Sequence, residues 1–179
     1  MSDNNNIFQK IRYYLLERKA LKMVRQKSAF NFQTAKTALI LIDGLATNND
    51  KIINQFLNFL KEKNIEYSQV YFYNNKEVVE VDEGNGIFQY SIKNLNWLGN
   101  PKHETINTIL RKEYDLLFDF SIKKYFIFEY ITVLSKAKFK IGLFSDSSQY
   151  YDFMINLGKD IDFKKYVEDV KHYLSNIKL

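Results

Sequence analysis

Glu113-Tyr-Asp-Leu-Leu-Phe-Asp-Phe-Ser121 decides the fold of this chain. Its centre, residues 116–120, is a short apolar run entered through an acidic-aromatic step and closed by Ser121. A second such run, residues 138–144, follows about twenty residues later, and strand, helix, strand at that spacing is a βαβ unit.

Upstream, Ala38-Leu-Ile-Leu-Ile-Asp43 is apolar without alternation, as expected of a strand covered on both faces in a parallel sheet. Asp43-Gly44 closes it, and Asn49 or Asp50 offers a cap for a helix running to about residue 63. Ile52, Ile53, Phe56, Leu57 and Leu60 recur there at helical spacing, and Asn64 suits the position just past the helix end. Residues 68–73 form the next strand, so residues 38–73 make another βαβ unit. Between the two units, residues 77–81 and 87–92 flank Asp82-Glu-Gly-Asn-Gly86, which predicts a hairpin-like insertion at about 77–98. A short helix is expected over 103–112 and an aromatic one over 122–135. Ser145-Asp-Ser-Ser148 offers capping oxygens to a helix over 150–157. Phe163, Tyr166, Val167, Val170, Tyr173, Leu174 and Ile177 form the apolar stripe of a last helix.

The expected architecture is therefore a three-layer, Rossmann-like α/β domain with a mainly parallel sheet, residues 37–179. A basic N-terminal helical arm, residues 1–36, precedes it. The arm's helix is expected over about 7–27, with Ile7, Ile11, Tyr14, Leu15, Leu21 and Val24 as an apolar stripe that Arg18 interrupts. At 179 residues the chain suits one domain, and its scarce glycine and proline (6 and 1) argue for short connections.

The absence of cysteine excludes disulfides, thiolate catalysis and Cys-ligated zinc. No apolar run approaches the roughly 20 residues of a membrane span. The first residues lack a signal-peptide pattern, so a cytoplasmic protein is expected. Charge is unevenly placed. Lys10, Arg12, Arg18, Lys19, Lys22, Arg25, Lys27 and Lys36 oppose only Asp3 and Glu17 in the first 37 residues, a net +6. Since the whole chain carries +5, the remaining residues carry −1. A basic arm on a neutral body has two uses. It is a solvated flank, or it meets a polyanion: RNA, with ribosomal RNA the first expectation, or the anionic face of a membrane. Tyr13, Tyr14, Phe30 and Phe32 interleave with the cations and offer stacking surfaces for bases. The broken apolar stripe weakens the membrane use. No RNP, KH or helix-turn-helix signature is present.

Enzymatic readings centre on the strand carboxyl ends, where open α/β sheets bind ligands. Asp43, Asp119 and Asp146 fall there and together suit a cation or a sugar hydroxyl, although Asp and Ser after a strand also serve as ordinary helix caps. Neither GxGxxG nor GxxxxGK[ST] occurs, which argues against a dinucleotide or P-loop site. His103 and His172 lack metal-ligand spacing, and no cofactor or metal is expected.

Asn31-Phe-Gln-Thr-Ala-Lys36, Tyr114-Asp-Leu-Leu-Phe-Asp119, Ala137-Lys-Phe-Lys-Ile-Gly142 and Tyr151-Asp-Phe-Met-Ile155 together resemble a family of small bacterial proteins of unknown function. The second and third segments also resemble, more distantly, the N-terminal half of heptosyltransferase-like GT-B glycosyltransferases. That resemblance implies a nucleotide-binding or glycosyltransferase half using the crevice. Such enzymes place the donor sugar mainly in a second Rossmann-like domain, which this chain is too short to contain.

Overall fold

The computed structural model describes residues 3–46, 49–76, 86–102, 104–145, 149–158 and 162–178, the side chains of 3–6 excepted. The strand Thr37–Asp43 (β1) lies in the middle of the molecule, and Ala38 to Ile42 are all buried. Alternate residues serve opposite faces, as strand geometry requires. Ala38, Ile40 and Ile42 enter one core, and Leu39 and Leu41 enter the other.

The remaining strands are Glu66–Tyr73 (β2), Ile87–Ser91 (β3), Leu116–Asp119 (β4), Phe139–Leu143 (β5) and Phe153–Ile155 (β6). They form a six-stranded sheet in the order β3-β2-β1-β4-β5-β6, every pair parallel. This is the doubly wound order, with the direction of winding reversing between β1 and β4. The first face is covered by helices Asp50–Glu62 (α2) and Phe163–Asn176 (α5), through Phe56, Leu60, Tyr166 and Val170. The second is covered by Thr105–Arg111 (α3) and Phe126–Leu134 (α4), through Ile106, Ile109, Ile127 and Ile131. The N-terminal helix, Asp3–Ala20 (α1), lies outside α4 as an extra layer, with Leu16 buried among Phe126, Val133 and Leu134.

Asn64 sits at φ 57° after α2, the left-handed position that helix ends favour. Asn49 takes the cap position of α2 but its side chain makes no capping bond, whereas Asp162 caps α5 by accepting from Lys164 N at 2.8 Å.

Several expectations need correction. The arm's helix stops at Ala20 rather than near Lys27, and residues 21–36 are irregular, with Ser28 N–H donating to the Lys138 carbonyl at 3.3 Å. Arg25 is the anchor, since its guanidinium donates to the carbonyls of Ala137 and Lys138 at 3.0 Å and to Asp152 at 2.6 Å. The expected helix over 150–157 is instead β6. Asp152, held by Arg25, also accepts from Lys140 N at 2.9 Å, which lays the segment in register beside β5. Residues 77–85 and 146–148 lie outside the described residues. Residues 87–91 nevertheless pair parallel to β2, so they extend the main sheet rather than close a hairpin upon it.

Candidate functional site

The chain leaves β1 for a helix on one face and β4 for a helix on the other, so their carboxyl ends flank the switch point. Asp43 and Asp119 terminate these two strands, as expected. The structure does not bring them into one cavity. A pocket of about 240 Å³ is lined by Asp119, Ser121, Tyr125, Glu129, Leu143 and Tyr151 among others, but not by Asp43. Tyr125 stands between the two acids: its ring lines the pocket and its hydroxyl donates to Asp43 Oδ2 at 2.9 Å. Asp146, the third expected member, lies outside the described residues, as does His103. His172 is exposed on α5, edge-on to Tyr173.

Asp119 is 5 % exposed, and among the described residues its carboxylate receives three hydrogen bonds. Ser121 donates from its hydroxyl at 2.6 Å and its backbone at 2.9 Å, and Tyr151 donates from its hydroxyl at 2.5 Å. Burial pushes the Asp119 carboxyl above its ordinary value, with the Glu129 charge adding to it, and the bonds from Ser121 and Tyr151 only partly offset this. Burial and the neighbouring Asp119 likewise raise the Tyr151 hydroxyl well above its usual range. Ser121 therefore tethers Asp119 and does not cap α4, which begins five residues later.

Sequence reasoning missed Tyr151 and Glu129, and one signal for the first was available. A glycine within a strand marks close approach. A Cβ on Gly142 of β5 would lie 2.5 Å from the Tyr151 ring, so the glycine makes room for the tyrosine above Asp119. Glu129 Oε2 is buried without a hydrogen-bond partner among the described residues. Among those residues no three His, Cys, Asp or Glu side chains converge as metal ligands would.

The pocket's volume falls below the roughly 300–1,000 Å³ of ordinary ligand sites. Its acid is nevertheless held at a cost, which stability measurements expose. Asp119 has a raised folded-state pKa, so its charged form opposes folding at pH values above the unfolded carboxylate value of about 3.9. Asp119→Asn is therefore expected to melt higher than the native protein at pH 8 and to lose that advantage below about pH 4. Thermal unfolding across that range checks it, and a lower melting temperature at pH 8 would contradict it.

The basic arm is the second candidate. Of its eight cations, Arg25 is consumed by the ion pair with Asp152. Arg12 is half-buried, its guanidinium 4.7 Å from the Phe126 ring centre, with Tyr13 packed edge-on to the same ring. Lys36 is exposed where the chain enters β1, and its backbone donates to Asp115 at 2.8 Å. Lys27 is exposed but reaches Asp152 at 3.6 Å. Lys10, Arg18, Lys19 and Lys22 remain as exposed cations on α1 or just beyond it.

Three of the four expected stacking aromatics are packed away: Phe32 in the core, Phe30 against it, and Tyr13 on Phe126. Burial raises the Tyr13 hydroxyl to about 12, with the nearby Glu129 carboxylate adding to it. Tyr14 alone stays exposed, 5.9 Å from the Arg18 guanidinium. The structure supplies two aromatics that the sequence did not single out. Phe8 on α1 and Trp97 from the loop before α3 meet edge-to-face at 5.8 Å, and Trp97 is 72 % exposed.

The orientation of α1 turns the apolar stripe of the sequence away from the body. Ile7, Ile11, Tyr14 and Leu15, the part of that stripe before Arg18, are all exposed, from 37 % at Leu15 to 58 % at Tyr14. The docked face is instead Arg12, Tyr13, Leu16 and Ala20.

Residues 9–177 match a family described as a family of unknown function, DUF6913. No curated protein matches the chain. The matched span takes in most of α1 together with the whole sheet, so arm and body are covered by one family.

Proposed function

We propose that this chain, which belongs to the DUF6913 family, is a docking protein whose α1 lies on an anionic membrane surface. One observation carries the proposal: the outward stripe of Ile7 and Tyr14, more than half exposed, with the partly covered Ile11 and Leu15, Phe8 and Trp97 beside it, Arg18 continuing it and Lys10 and Lys22 close by. A helix with aliphatic and aromatic side chains outward and cations around them suits the boundary between headgroups and acyl chains. Arg18, which interrupts the stripe in sequence, has a long apolar stem that lets its charge reach the headgroup layer. Among the described residues no helix is long and apolar enough to cross a membrane, so the contact proposed is peripheral.

RNA, ribosomal RNA included, is the second reading. Trp97, Phe8 and Tyr14 favour it, since exposed rings next to cations stack on unpaired bases. It leaves Ile7, Ile11 and Leu15 unexplained, because bases do not stack on aliphatic side chains. The crevice reading, a nucleotide-binding or GT-B-like half, has only the small Asp119 pocket in its favour.

Co-sedimentation of the full chain separates the first two. Vesicles containing phosphatidylglycerol are expected to bind it and pure phosphatidylcholine vesicles are not. Ile11→Ser with Leu15→Ser removes apolar contact, and Arg18→Gln with Lys22→Gln removes about 1 kcal/mol per cation near the surface. On vesicles both pairs are expected to weaken binding. On RNA only the charge pair and Trp97→Ala would do so, with the salt slope falling by about one per cation removed. Salt-sensitive RNA binding unaffected by the aliphatic pair, without vesicle binding, would replace the membrane proposal.

A further inference from the structure

Lys140, on β5, is a lysine in the interior. It is 2 % exposed, and its ammonium nitrogen donates to the carbonyl of Thr132 in the last turn of α4. It also lines a cavity of about 670 Å³ whose other wall is the segment from the end of α1 to Lys27. That size suits a ligand rather than a water cluster. The cavity's lining is mixed in chemistry. Arg25, Lys27 and Lys140 line it and all three contact Asp152, whose carboxylate is already engaged by the Arg25 guanidinium and the backbone N–H of Lys140. Ala20, Met23 and Val133 add apolar surface to it. Leu21 and Val24 line the same cavity yet are 87 % and 90 % exposed. Large aliphatic side chains so open beside a cavity are surface that a ligand's apolar body would cover.

We propose that this cavity binds an amphipathic organic anion, its carboxylate or phosphate head beside Lys140, Lys27 and Arg25 and its apolar body against Met23, Val133, Leu21 and Val24. The site goes beyond the lipid-docking face of α1, since none of Ile7, Ile11, Tyr14 and Leu15 lines it. Electrostatics support the choice of an anion. The groups facing the amine are Arg25 and Lys27 from the arm, Asp152 from the approach to β6, Glu17 at the cavity's α1 side, and the Thr132 carbonyl. Burial, with Arg25 and Lys27 pressing on it and Asp152 in partial compensation, lowers the Lys140 amine to about 7. An entering anion favours the protonated amine, so binding takes up a proton at Lys140 when the pH is above 7.

Isothermal titration of the full chain with decanoate and decyl phosphate tests the site, with decyltrimethylammonium as a control of equal tail and opposite charge. The two anions are expected to bind and the cation is not. Affinity is expected to fall as pH rises above about 7, by up to about tenfold per pH unit, with close to one proton taken up at pH 8 in buffers of differing ionisation enthalpy. Lys140→Met, which keeps the side chain's length, is expected to lose the proton uptake and at least tenfold in affinity. Lys27→Gln, at an exposed position, is expected to weaken the anions without admitting the cation. Equal binding of anion and cation, no binding of either anion, or unchanged anion affinity in both variants would overturn the proposal. Phosphatidylglycerol vesicles distinguish a membrane lipid from a free acid: a chain that binds vesicles but neither free amphiphile has no such cavity ligand. Ile11→Ser with Leu15→Ser is expected to retain decanoate binding, which keeps this test separate from docking by α1.

Discussion

Deletion of residues 1–36 is expected to abolish cooperative unfolding, whereas deletion of residues 1–20 leaves a folded domain. The difference lies in what each segment buries. Phe32 is fully buried, edge-on to Phe59 at 4.9 Å and stacked with Phe118 at 6.2 Å, and loss of such a side chain costs about 3–5 kcal/mol. Loss of Arg25 leaves Asp152 largely buried and without its guanidinium, at a further cost of about 3–5 kcal/mol. Asn31 adds the turn before β1, where its side chain accepts from the backbones of Gln33 and Thr34 and donates to the Ile177 carbonyl at 3.0 Å. Together these losses match the roughly 5–15 kcal/mol that a native domain has in all. Residues 1–20 contribute Leu16, Tyr13 and Arg12 against the outer side of α4, where exposing Phe126, Val133 and Leu134 costs less than opening the core. Circular dichroism melts of the two truncations check this. A sharp transition in the longer deletion within a few degrees of the full chain would show the whole arm to be separable.

Asp152→Ala is expected to lose about 3–5 kcal/mol, because it strands the Arg25 guanidinium in a site 11 % exposed and removes the acceptor of Lys140 N–H. For a chain of this size that corresponds to a fall of roughly 6–20 °C in Tm. The pH dependence carries a definite sign. Burial opposes the charged form of Asp152, but the bonds from Arg25 and Lys140 N–H, with the charges of Arg25 and Lys27, outweigh it and hold the carboxyl below its ordinary value. A depressed carboxylate stabilises the fold above its unfolded value of about 3.9, and that contribution disappears as pH falls through the folded value. The gap between native protein and variant is therefore expected to be full at pH 7 and to close below about pH 4. Arg25→Met combined with Asp152→Ala should recover part of the loss at pH 7, since the stranded charge is what costs most. A single variant as stable as the native chain at pH 7 would show that the pair does not anchor the arm.

The elements most legible in the sequence are those whose signal is local. The unbroken apolar run of β1, the helical stripes of α2 and α5, and Asn64 at the end of α2 each depend on residues within one or two turns of one another. Burial on both faces of a strand, or on one face of a helix, leaves its period in the chain whatever the rest of the protein does. The ends of β1 and β4 also placed Asp43 and Asp119 correctly at the rim of the sheet, because a parallel sheet directs all its carboxyl ends the same way.

Where the structure departed from those patterns, long-range partners decided. Residues 150–157 carry capping and aromatic signals that suit a helix, but Asp152 is drawn to Arg25, 127 positions earlier, and the segment becomes β6. Tyr151 then lies over Gly142 and meets Asp119, 32 positions away. Arg25 and Lys140 are ordinary cations in the sequence, and only packing makes one an internal anchor and the other a buried amine. The same holds for α1. Its stripe of Ile7, Ile11, Tyr14 and Leu15 records that the helix has an apolar face, and the sequence by itself determined that much. Tertiary structure decided that this face points outward, because Arg12 and Tyr13 clasp Phe126 and Leu16 fills the space beside Val133, holding the opposite side of the helix against α4.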